Sequence, residues 1–479
     1  MTRRLPVVPA PGPLEDYASR FDDLFRARAQ REGFRRYLEG LLLPTERNKT
    51  LTALANTEPI VGAQRKEAQS LQWFLSESGW DLEEVNRRRV ELLVECPGTA
   101  PNGQGVLVID EHGDRKWGKK TAHVGRQWLA NIGKTDTGVV SVTSLWADEE
   151  VYWPIAFEPY TPAHHFEGGK QDPKFRTKLK IAKELVERAV EADLSFRAVV
   201  ADSFYGEDEE FKCSLEDLGV GYVLALKPSH AWWHKIGEIG SPWEAALAAS
   251  EAWEDERHPG DWVKVVRQFR DGHQEERWAL EVDVGPYGPE RARRSVVATT
   301  DPKELPEKAT WYLVSNLPHP TSEQTEESKK LAAADLAEIM RLYGLRMWVE
   351  QSYKQVKHGV GWSDYQVRSD LAIRRHWELV CCAFTFCWWA FGRLPTDEPT
   401  AEPDEKENTT TAEYYSAGRG KRQPRVSWPQ TLRTVRGWLE PWIMLMRYWR
   451  AFSGMPPPPE LEALLKWVFS GRGLYLYVH

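Results

Sequence analysis

Cysteine is scarce in this 479-residue chain. The five cysteines are Cys96, Cys213, Cys381, Cys382 and Cys387. An odd number of cysteines in a long chain is not a disulfide framework, and none of their spacings is that of a zinc site. The sequence therefore predicts a protein of a reducing compartment, the cytoplasm.

Long apolar stretches are also missing. The longest run, residues 379–391, is well short of the roughly 20 residues that are needed to cross a bilayer. Residues 1–14 lack the apolar core of a signal peptide. We therefore predict no membrane partner and expect residues 379–391 to form a buried helix.

Positive charge is not in excess. Lys and Arg number 63 against 71 Asp and Glu, which gives a net charge of -8. This balance excludes a protein that coats nucleic acid through bulk charge, so any nucleic-acid site must be local. Tryptophan, in contrast, is abundant, with 23 residues that could stack on bases or fill a core. The length predicts about three structural units, at roughly 150 residues each.

The first 100 residues are predicted to form a helical DNA-binding or dimerisation region. Between residues 17 and 93, apolar side chains recur with helical spacing, and five arginines lie among them at residues 26–36. These arginines either contact DNA or form a solvated helix face together with Glu32 and Glu39. Residues 96–104 are expected to be a linker.

Residues 101–227 and 311–393 are predicted to form an α/β core. Three strands of an antiparallel meander are expected at residues 106–110, 123–130 and 138–146. A helix, a strand, a short helix and a strand should follow at residues 175–192, 196–202, 209–218 and 222–226. This order is that of the ribonuclease-H-like arrangement, a mixed sheet with helices packed on its faces.

Residues 228–310 are predicted to be a β-rich insertion subdomain. Residues 262–269 and 277–284 flank Asp271-Gly272, a dipeptide that is typical of a hairpin turn. The core is expected to resume with a strand at residues 311–315 and with helices at residues 332–356 and 369–393.

The C-terminal part of the chain changes sharply in charge. Residues 394–424 are expected to be a flexible tether that turns from acidic to basic. Residues 425–479 are predicted to be helical, basic and aromatic, which is typical of a nucleic-acid groove but also of an amphipathic packing helix. The predicted DNA-binding side chains of these regions are Arg419, Lys421, Arg422, Arg425, Arg433 and Arg436.

Three carboxylates are expected to meet at one edge of the core sheet. Asp110 ends the first predicted strand and Asp202 ends the fourth, and these strands are neighbours in the ribonuclease-H-like order. Glu350 comes from a helix beside that edge. Because Mg²⁺ prefers oxygen ligands, two such ions would relieve the repulsion and could act on a phosphodiester. Mn²⁺ is expected to be able to substitute.

The predicted helix around Glu350 carries further functional candidates. At 100° per residue, Tyr343, Arg346, Glu350 and Lys357 fall within an arc of about 60°, and Lys354 lies on the same face. Tyr343, Arg346, Lys354 and Lys357 would hold DNA phosphates beside the metals. A surface stripe that is stabilised by Glu-to-Lys pairs would have the same spacing.

Several motifs together resemble those of one known family. They are Val-Ile-Asp110, Asp202-Ser-Phe-Tyr205-Gly206 and the spacing of Tyr343, Arg346, Glu350 and Lys357. In this order they resemble the DDE transposases of bacterial insertion sequences with a Tyr-Arg-Glu-Lys signature and a β insertion before the catalytic Glu.

A narrower resemblance, to the insertion-sequence 701 family, spans roughly residues 35–390. It rests on Tyr37-Leu-Glu-Gly-Leu-Leu-Leu43, Lys119-Lys-Thr-Ala-His-Val-Gly-Arg-Gln127, Thr177-Lys178, Trp311-Tyr-Leu-Val-Ser-Asn316 and Tyr365-Gln-Val-Arg368 with Arg375-His376. One departure follows the first catalytic Asp, where the chain has Glu111-His112-Gly113-Asp114. Glu111 should point to the opposite sheet face from Asp110, so it is the reserve ligand.

The resemblance implies catalysis by Asp110, Asp202 and Glu350 with Mg²⁺, and cut-and-paste movement of a DNA element. The partners implied are double-stranded DNA, as terminal inverted repeats and target, and a second copy of the chain in a homodimer. Excision in this group proceeds through end hairpins with an aromatic side chain on a flipped base. Trp232 or Trp233 is the candidate for that role, although both could simply pack the base of the insertion. The expected location is the bacterial cytoplasm, at the nucleoid.

Two other functions stay open from the sequence. A retired transposase could serve as a DNA-binding regulator without mobility. A ribonuclease-H-like nuclease could act on branched DNA or on RNA hybrids.

Overall fold

A computed structural model describes residues 5–7, 9–234, 239–268, 273–282, 284–285, 293–321, 330–391 and 427–453. The chain divides into two compact units, one made of Met1–Ala100 with Gln355–His479 and the other of Pro101–Lys354. The first unit is helical, and the second contains the sheets.

The helices are numbered in chain order. They are α1 Gly12–Ala18, α2 Arg28–Leu42, α3 Leu51–Leu54, α4 Lys66–Ser76, α5 Leu82–Val94, α6 Lys178–Glu191, α7 Ser203–Gly206, α8 Glu209–Asp217, α9 Pro242–Ser250, α10 Leu336–Gly344, α11 Met347–Val360, α12 Asp370–Phe391 and α13 Trp428–Ser453.

The strands are numbered in the same way. They are β1 Val106–Arg115, β2 Gly125–Leu129, β3 Lys134–Ala147, β4 Tyr152–Tyr160, β5 Ala198–Ala201, β6 Tyr222–Ala225, β7 Trp232–His234, β8 Ile239–Gly240, β9 Val263–Gln268, β10 Gln274–Val282, β11 Val284–Gly285, β12 Arg294–Thr299 and β13 Trp311–Ser315.

The helical unit is built around α12. Every side chain from residue 379 to residue 390 is buried, so the longest apolar run is a core helix, as predicted. Within the described part of the chain, no helix combines the length and the apolar character that crossing a membrane requires.

The arginines near the N-terminus do not form one continuous row. Arg31 and Arg35 are buried, and Arg35 makes ion pairs of 2.7 Å with both Glu15 and Asp22. Arg28 and Arg36, in contrast, are exposed. Part of the basic set therefore stabilises the helical unit from inside, because buried guanidinium groups need partners.

The second unit contains a mixed sheet of the predicted α/β, ribonuclease-H-like class. The strand order is β2-β3-β1-β5-β6-β13-β12-β10-β9, and β4 pairs with β3 outside this path. β1 and β5 are parallel, as are β5 and β6. The remaining neighbours in this sheet are antiparallel.

The predicted membership of the antiparallel meander was wrong in one strand. β1, β3 and β4 form the meander, while β2 pairs with the first residues of β3 at one end of the strand order. β4 contains Pro154 and Pro159, which hide a strand from sequence analysis because proline cannot donate to a β-ladder.

The residues before β13 extend the same sheet. β9 and β10 form the predicted antiparallel hairpin, although its turn at Asp271-Gly272 lies outside the described residues. β12 joins β10 to β13, so strands of the insertion continue the core sheet. β7, β8 and β11 form a separate small sheet.

The helix predicted at residues 332–356 is two helices, α10 and α11. The junction is tightened by short-range main-chain hydrogen bonds, such as that from the Arg346 N–H to the Tyr343 carbonyl at 3.0 Å. At Gly344, a Cβ would clash with the guanidinium of Arg267 on β9. Helical spacing could not predict this contact, because Arg267 is distant in sequence.

Candidate active site

The two predicted aspartates lie on neighbouring strands. β1 and β5 run parallel with Val106 opposite Ala198 and Val108 opposite Val200. Asp110 lies two residues further along β1, and Asp202 directly follows β5. Because the strands are parallel and in register, both carboxylates reach the same region of the sheet.

Asp202 is fixed by the turn that follows it. Its carboxylate accepts a hydrogen bond of 3.0 Å from the Phe204 N–H and caps α7. α7 ends at Gly206, where a Cβ would clash with the carbonyl oxygen of Ala225 on β6. Because Gly206 has no side chain, α7 can pack closely against the sheet. This packing holds Asp202, which caps α7, in place.

The three predicted catalytic carboxylates surround one guanidinium. Arg346 lies 3.2 Å from Asp110, 4.0 Å from Asp202 and 3.9 Å from Glu350. The Asp110 side chain is 10% exposed, whereas that of Glu350 is 62% exposed. Asp110 is therefore a buried acid at the base of the site, and Glu350 is an exposed acid at its rim.

Burial dominates the electrostatics at the base of the site. Desolvation raises the pKa of Asp110 to about 7; Arg346 opposes this rise and Asp202 adds to it. Burial alone would lower the pKa of Arg346, but Asp110 and the other acids hold it above its ordinary value. The guanidinium thus remains charged between acids that repel one another.

Comparisons with known proteins show the family to which this chain belongs. A family model described as DDE superfamily endonuclease matches residues 20–281. A protein of Microchaete diplosiphon, described as "Probable transposase for insertion sequence element IS701", is 32% identical over 368 residues. That match covers 77% of this chain and 85% of the relative.

This chain is a DDE-superfamily transposase of the IS701 family. Enzymes of the DDE superfamily generally use divalent metal ions. In this transposase, the side chains that could hold such ions are the acids that surround Arg346.

The donor set suits a hard divalent cation, because three carboxylates supply the oxygen ligands that Mg²⁺ prefers. The three carboxylates are spaced around Arg346, however, and not around a shared metal position. Among the residues that the structure describes, no three His, Cys, Asp or Glu side chains are gathered at the distances of a metal site. The positive charge between the acids is that of Arg346.

Sequence reasoning missed the buried support of Asp110. Thr143 lies opposite Asp110 in the ladder between β1 and β3, and its hydroxyl is 2.5 Å from that of Tyr353 on α11. The Tyr353 ring packs on His112 at 4.7 Å, and His112 lies 3.2 Å from the buried Asp114. Alternation along β1, which places Asp110, His112 and Asp114 on one face, was the available signal.

Glu111 lies in a different environment from Asp110. Its carboxylate pairs with Lys178 of α6 at 2.7 Å. Lys178 also lies 5.7 Å from the ring centroids of Tyr160 and Phe204. Glu111, which the sequence analysis predicted as the reserve ligand, is therefore already paired with a lysine.

The other candidates on α10 and α11 are spread along the chain. Tyr343 is in the last turn of α10 and packs edge-on against Trp311 at 5.1 Å, and burial raises its pKa. Lys354 is exposed, and Lys357 is half-buried in the last turn of α11. The break between the helices means that a single helical face does not unite these residues.

The remaining predicted DNA-binding residues are only partly described. The strand β7 contains Trp232 and Trp233, but their side chains lie outside the described part of the chain. Outside it altogether lie Arg419, Lys421, Arg422 and Arg425.

Two basic residues of α13 differ in their surroundings. Arg433 is exposed, whereas Arg436 donates hydrogen bonds of 2.8 Å to the carbonyls of Leu42 and Gly359. Trp428 is buried and stacks on Phe384 at 4.6 Å. This face of α13 packs within the helical unit, and DNA binding by Arg433 and Arg436 remains a prediction.

Proposed function

We propose that this transposase moves an insertion sequence by a cut-and-paste route. It would hydrolyse phosphodiesters at the terminal inverted repeats and join the released ends to target DNA. The observation that carries the proposal is the convergence of Asp110, Asp202 and Glu350, from three separate elements, on Arg346. Asp110 is a buried acid whose pKa is raised by desolvation and shifted by charged neighbours, and this combination is typical of functional sites.

Asp110, Asp202 and Glu350 would hold two Mg²⁺ ions, for which Mn²⁺ could substitute. The ions would supply Lewis-acid polarisation of the phosphodiester. Arg346 now balances the three acids, so its charge would become available to phosphate oxygens when divalent cations take over that role. Tyr343, Lys354 and Lys357 would add contacts to the DNA backbone. Thr143 and Tyr353 would keep the base of the site rigid beneath Asp110.

The DNA partners would be the double-stranded terminal repeats and the target. A homodimer would hold the two element ends together during strand transfer. An excision route through end hairpins would use Trp232 or Trp233 to hold a flipped base, because an aromatic ring can replace the lost stacking of that base. Work on chromosomal DNA would place the enzyme at the nucleoid in the bacterial cytoplasm.

The test is cleavage of a duplex that carries the terminal repeats that flank the gene, with Mg²⁺ added or left out. Wild type should cut at the repeat end, whereas Asp202→Asn and Glu350→Gln should bind the same duplex without cutting it. Glu210→Gln, which changes an exposed acid on α8, is the matched control and should cut normally.

Other outcomes would favour other functions. Binding of the repeat without cleavage in Mg²⁺ or Mn²⁺ would favour a DNA-binding regulator. Preferential cutting of an RNA–DNA hybrid would favour a ribonuclease-H-like nuclease.

A further inference from the structure

The segment that follows the catalytic strand β1 is unusually basic. Residues 115–135 contain six cations and no acid, in a chain whose net charge is -8. These cations are Arg115, Lys116, Lys119, Lys120, Arg126 and Lys134. Because the protein as a whole is acidic, a nucleic-acid site must be a local patch of positive charge. This segment is such a patch.

Most of this charge is not neutralised by the protein. Lys119, Lys120, Arg126 and Lys134 are exposed, and none of them forms an ion pair with the residues that the structure describes. Arg115 differs, since it pairs with Asp136 at 2.9 Å. Four cations therefore remain available to an anionic partner.

Two tryptophans are exposed in the same segment. Trp117 is 83% exposed, with the guanidinium of Arg115 4.0 Å from its ring centroid, and Trp128 is 54% exposed. Arg126 and Trp128 are two residues apart on β2 and so lie on one face of the strand. Exposed aromatic rings between unpaired cations are typical of surfaces that stack bases and hold phosphates.

The hairpin of β2 and β3 supports this surface. β2 pairs with β3 from Gly125 to Leu129, and the turn between them contains Gly133 at a φ of 62°. The buried Leu129 anchors the hairpin from below. Arg115 is five residues beyond Asp110 on β1, a distance of about 17 Å at ~3.4 Å per residue. A DNA strand at the candidate active site could therefore reach the surface within a few nucleotides.

We propose that residues 115–135, the edge-hairpin surface, bind unpaired DNA beside the active site. Lys119, Lys120, Arg126 and Lys134 would hold its phosphates, and Trp117 and Trp128 would stack on its bases. This inference rests on the proposed transposase function and adds a location for the DNA strand that leaves the site of cleavage.

The experiment measures binding separately from cleavage. The full-length Asp202→Asn protein is titrated with a fluorescent single-stranded oligonucleotide, and with its duplex, at several KCl concentrations. In this background, the combined variant Lys119→Gln, Lys120→Gln, Arg126→Gln and Lys134→Gln should bind the single strand more weakly. Its plot of log affinity against log salt should be less steep by up to about 3, since each phosphate contact contributes roughly 0.7.

The tryptophans are tested in the same assay. Trp117→Ala and Trp128→Ala should each weaken single-strand binding by roughly tenfold, and they should leave the salt slope unchanged because stacking releases no counterions. Lys303→Gln with Lys308→Gln removes two exposed cations elsewhere in the same unit and is the charge control. Trp243→Ala, at a ring that is 43% exposed on α9, is the aromatic control.

The outcomes separate this inference from the proposed function. Wild-type affinity and salt slope in the combined variant would overturn the edge-hairpin surface, even if the wild-type enzyme cuts its repeats. A flatter slope with unaffected tryptophan variants would overturn base stacking. If the wild-type enzyme cuts no DNA but both effects appear, the surface stands and the transposition proposal fails.

Discussion

Two sites in this protein place an arginine against a buried acid, and they differ in how the charge of the arginine is shared. In the helical unit, Arg89 and Glu378 are almost wholly inaccessible and pair at 2.7 Å, with Asn86 donating to the same carboxylate. At the candidate active site, Arg346 is shared among three acids at 3.2 to 4.0 Å.

We expect this difference between an ion pair that stabilises the fold and a charge that acts in the proposed active site. Burial raises the pKa of Glu378 and Arg89 opposes the rise, within a closed pair whose partners have no solvent access. Among the residues that the structure describes, the Arg346 guanidinium makes one hydrogen bond, to Asp110, and two looser contacts, at a site that opens to solvent through Glu350. A buried and closely paired arginine keeps its partner. An arginine that is loosely shared can release its acids to a metal cation and can itself bind a phosphate.

The largest expected effect is at the closed pair. Arg89→Ala would leave Glu378 charged and buried without a partner, so we expect a loss of about 3–5 kcal/mol in the free energy of unfolding. The control is Arg87→Ala on the same helix, because Arg87 is exposed and solvent screens its pairs with Glu84 and Glu91, so the loss should be far smaller. Urea denaturation measures both, and equal losses would break the comparison.

The next effect is a pH dependence from Asp110. Its pKa of about 7 lies well above the value of about 3.9 in an unfolded chain. Between these values the folded protein keeps a proton that the unfolded chain releases, so this group lowers stability as pH rises from about 4 to 7. With Asp110→Asn, the fall in the free energy of unfolding between about pH 4 and pH 7 should be smaller by about 2–4 kcal/mol. Unfolding curves across this pH range that coincide for the variant and wild type would contradict the assignment; Glu210→Gln should follow wild type.

Arg346→Gln should give a smaller loss that depends on pH. Above pH 7 the acids would face one another without a cation, and we expect a loss of about 1–3 kcal/mol. Below pH 6 the loss should shrink, because Asp110 then takes up a proton. Lys354→Gln, at an exposed residue of α11, should show no such dependence. A loss of equal size at both pH values would mean that Arg346 is as structural as Arg89.

The smallest effect concerns the support beneath Asp110. Tyr353→Phe removes the hydroxyl that bonds Thr143 and should cost about 1 kcal/mol, measured by thermal unfolding. Tyr160→Phe is the control, because the Tyr160 hydroxyl makes no hydrogen bond with the described residues. If Tyr353→Phe and Tyr160→Phe both unfold at the wild-type temperature, the hydrogen bond between Tyr353 and Thr143 does not stabilise the protein.

Sequence analysis predicted the strands better than the surroundings of the arginines. Neighbouring strands follow from local pattern and fold order, so the proximity of Asp110 and Asp202 was predictable. The prediction that Asp110 ends its strand was wrong, because β1 continues to Arg115. The position of Arg346 was not predictable, because it lies at the break between α10 and α11, beside a Gly344 that packs against the distant Arg267. The buried state of Arg35 was hidden for a similar reason, since its partners Glu15 and Asp22 lie outside its own helix.

The close packing at Gly206 has a consequence for mutational tolerance. The position four residues after Asp202 performs no chemistry, but any side chain there would meet the carbonyl of Ala225. In a saturation-mutagenesis map, position 206 would appear as intolerant as Asp202 itself. A screen of folded protein abundance would separate them, because substitutions at Asp202 would spare abundance and lose cleavage, whereas substitutions at Gly206 would lose both.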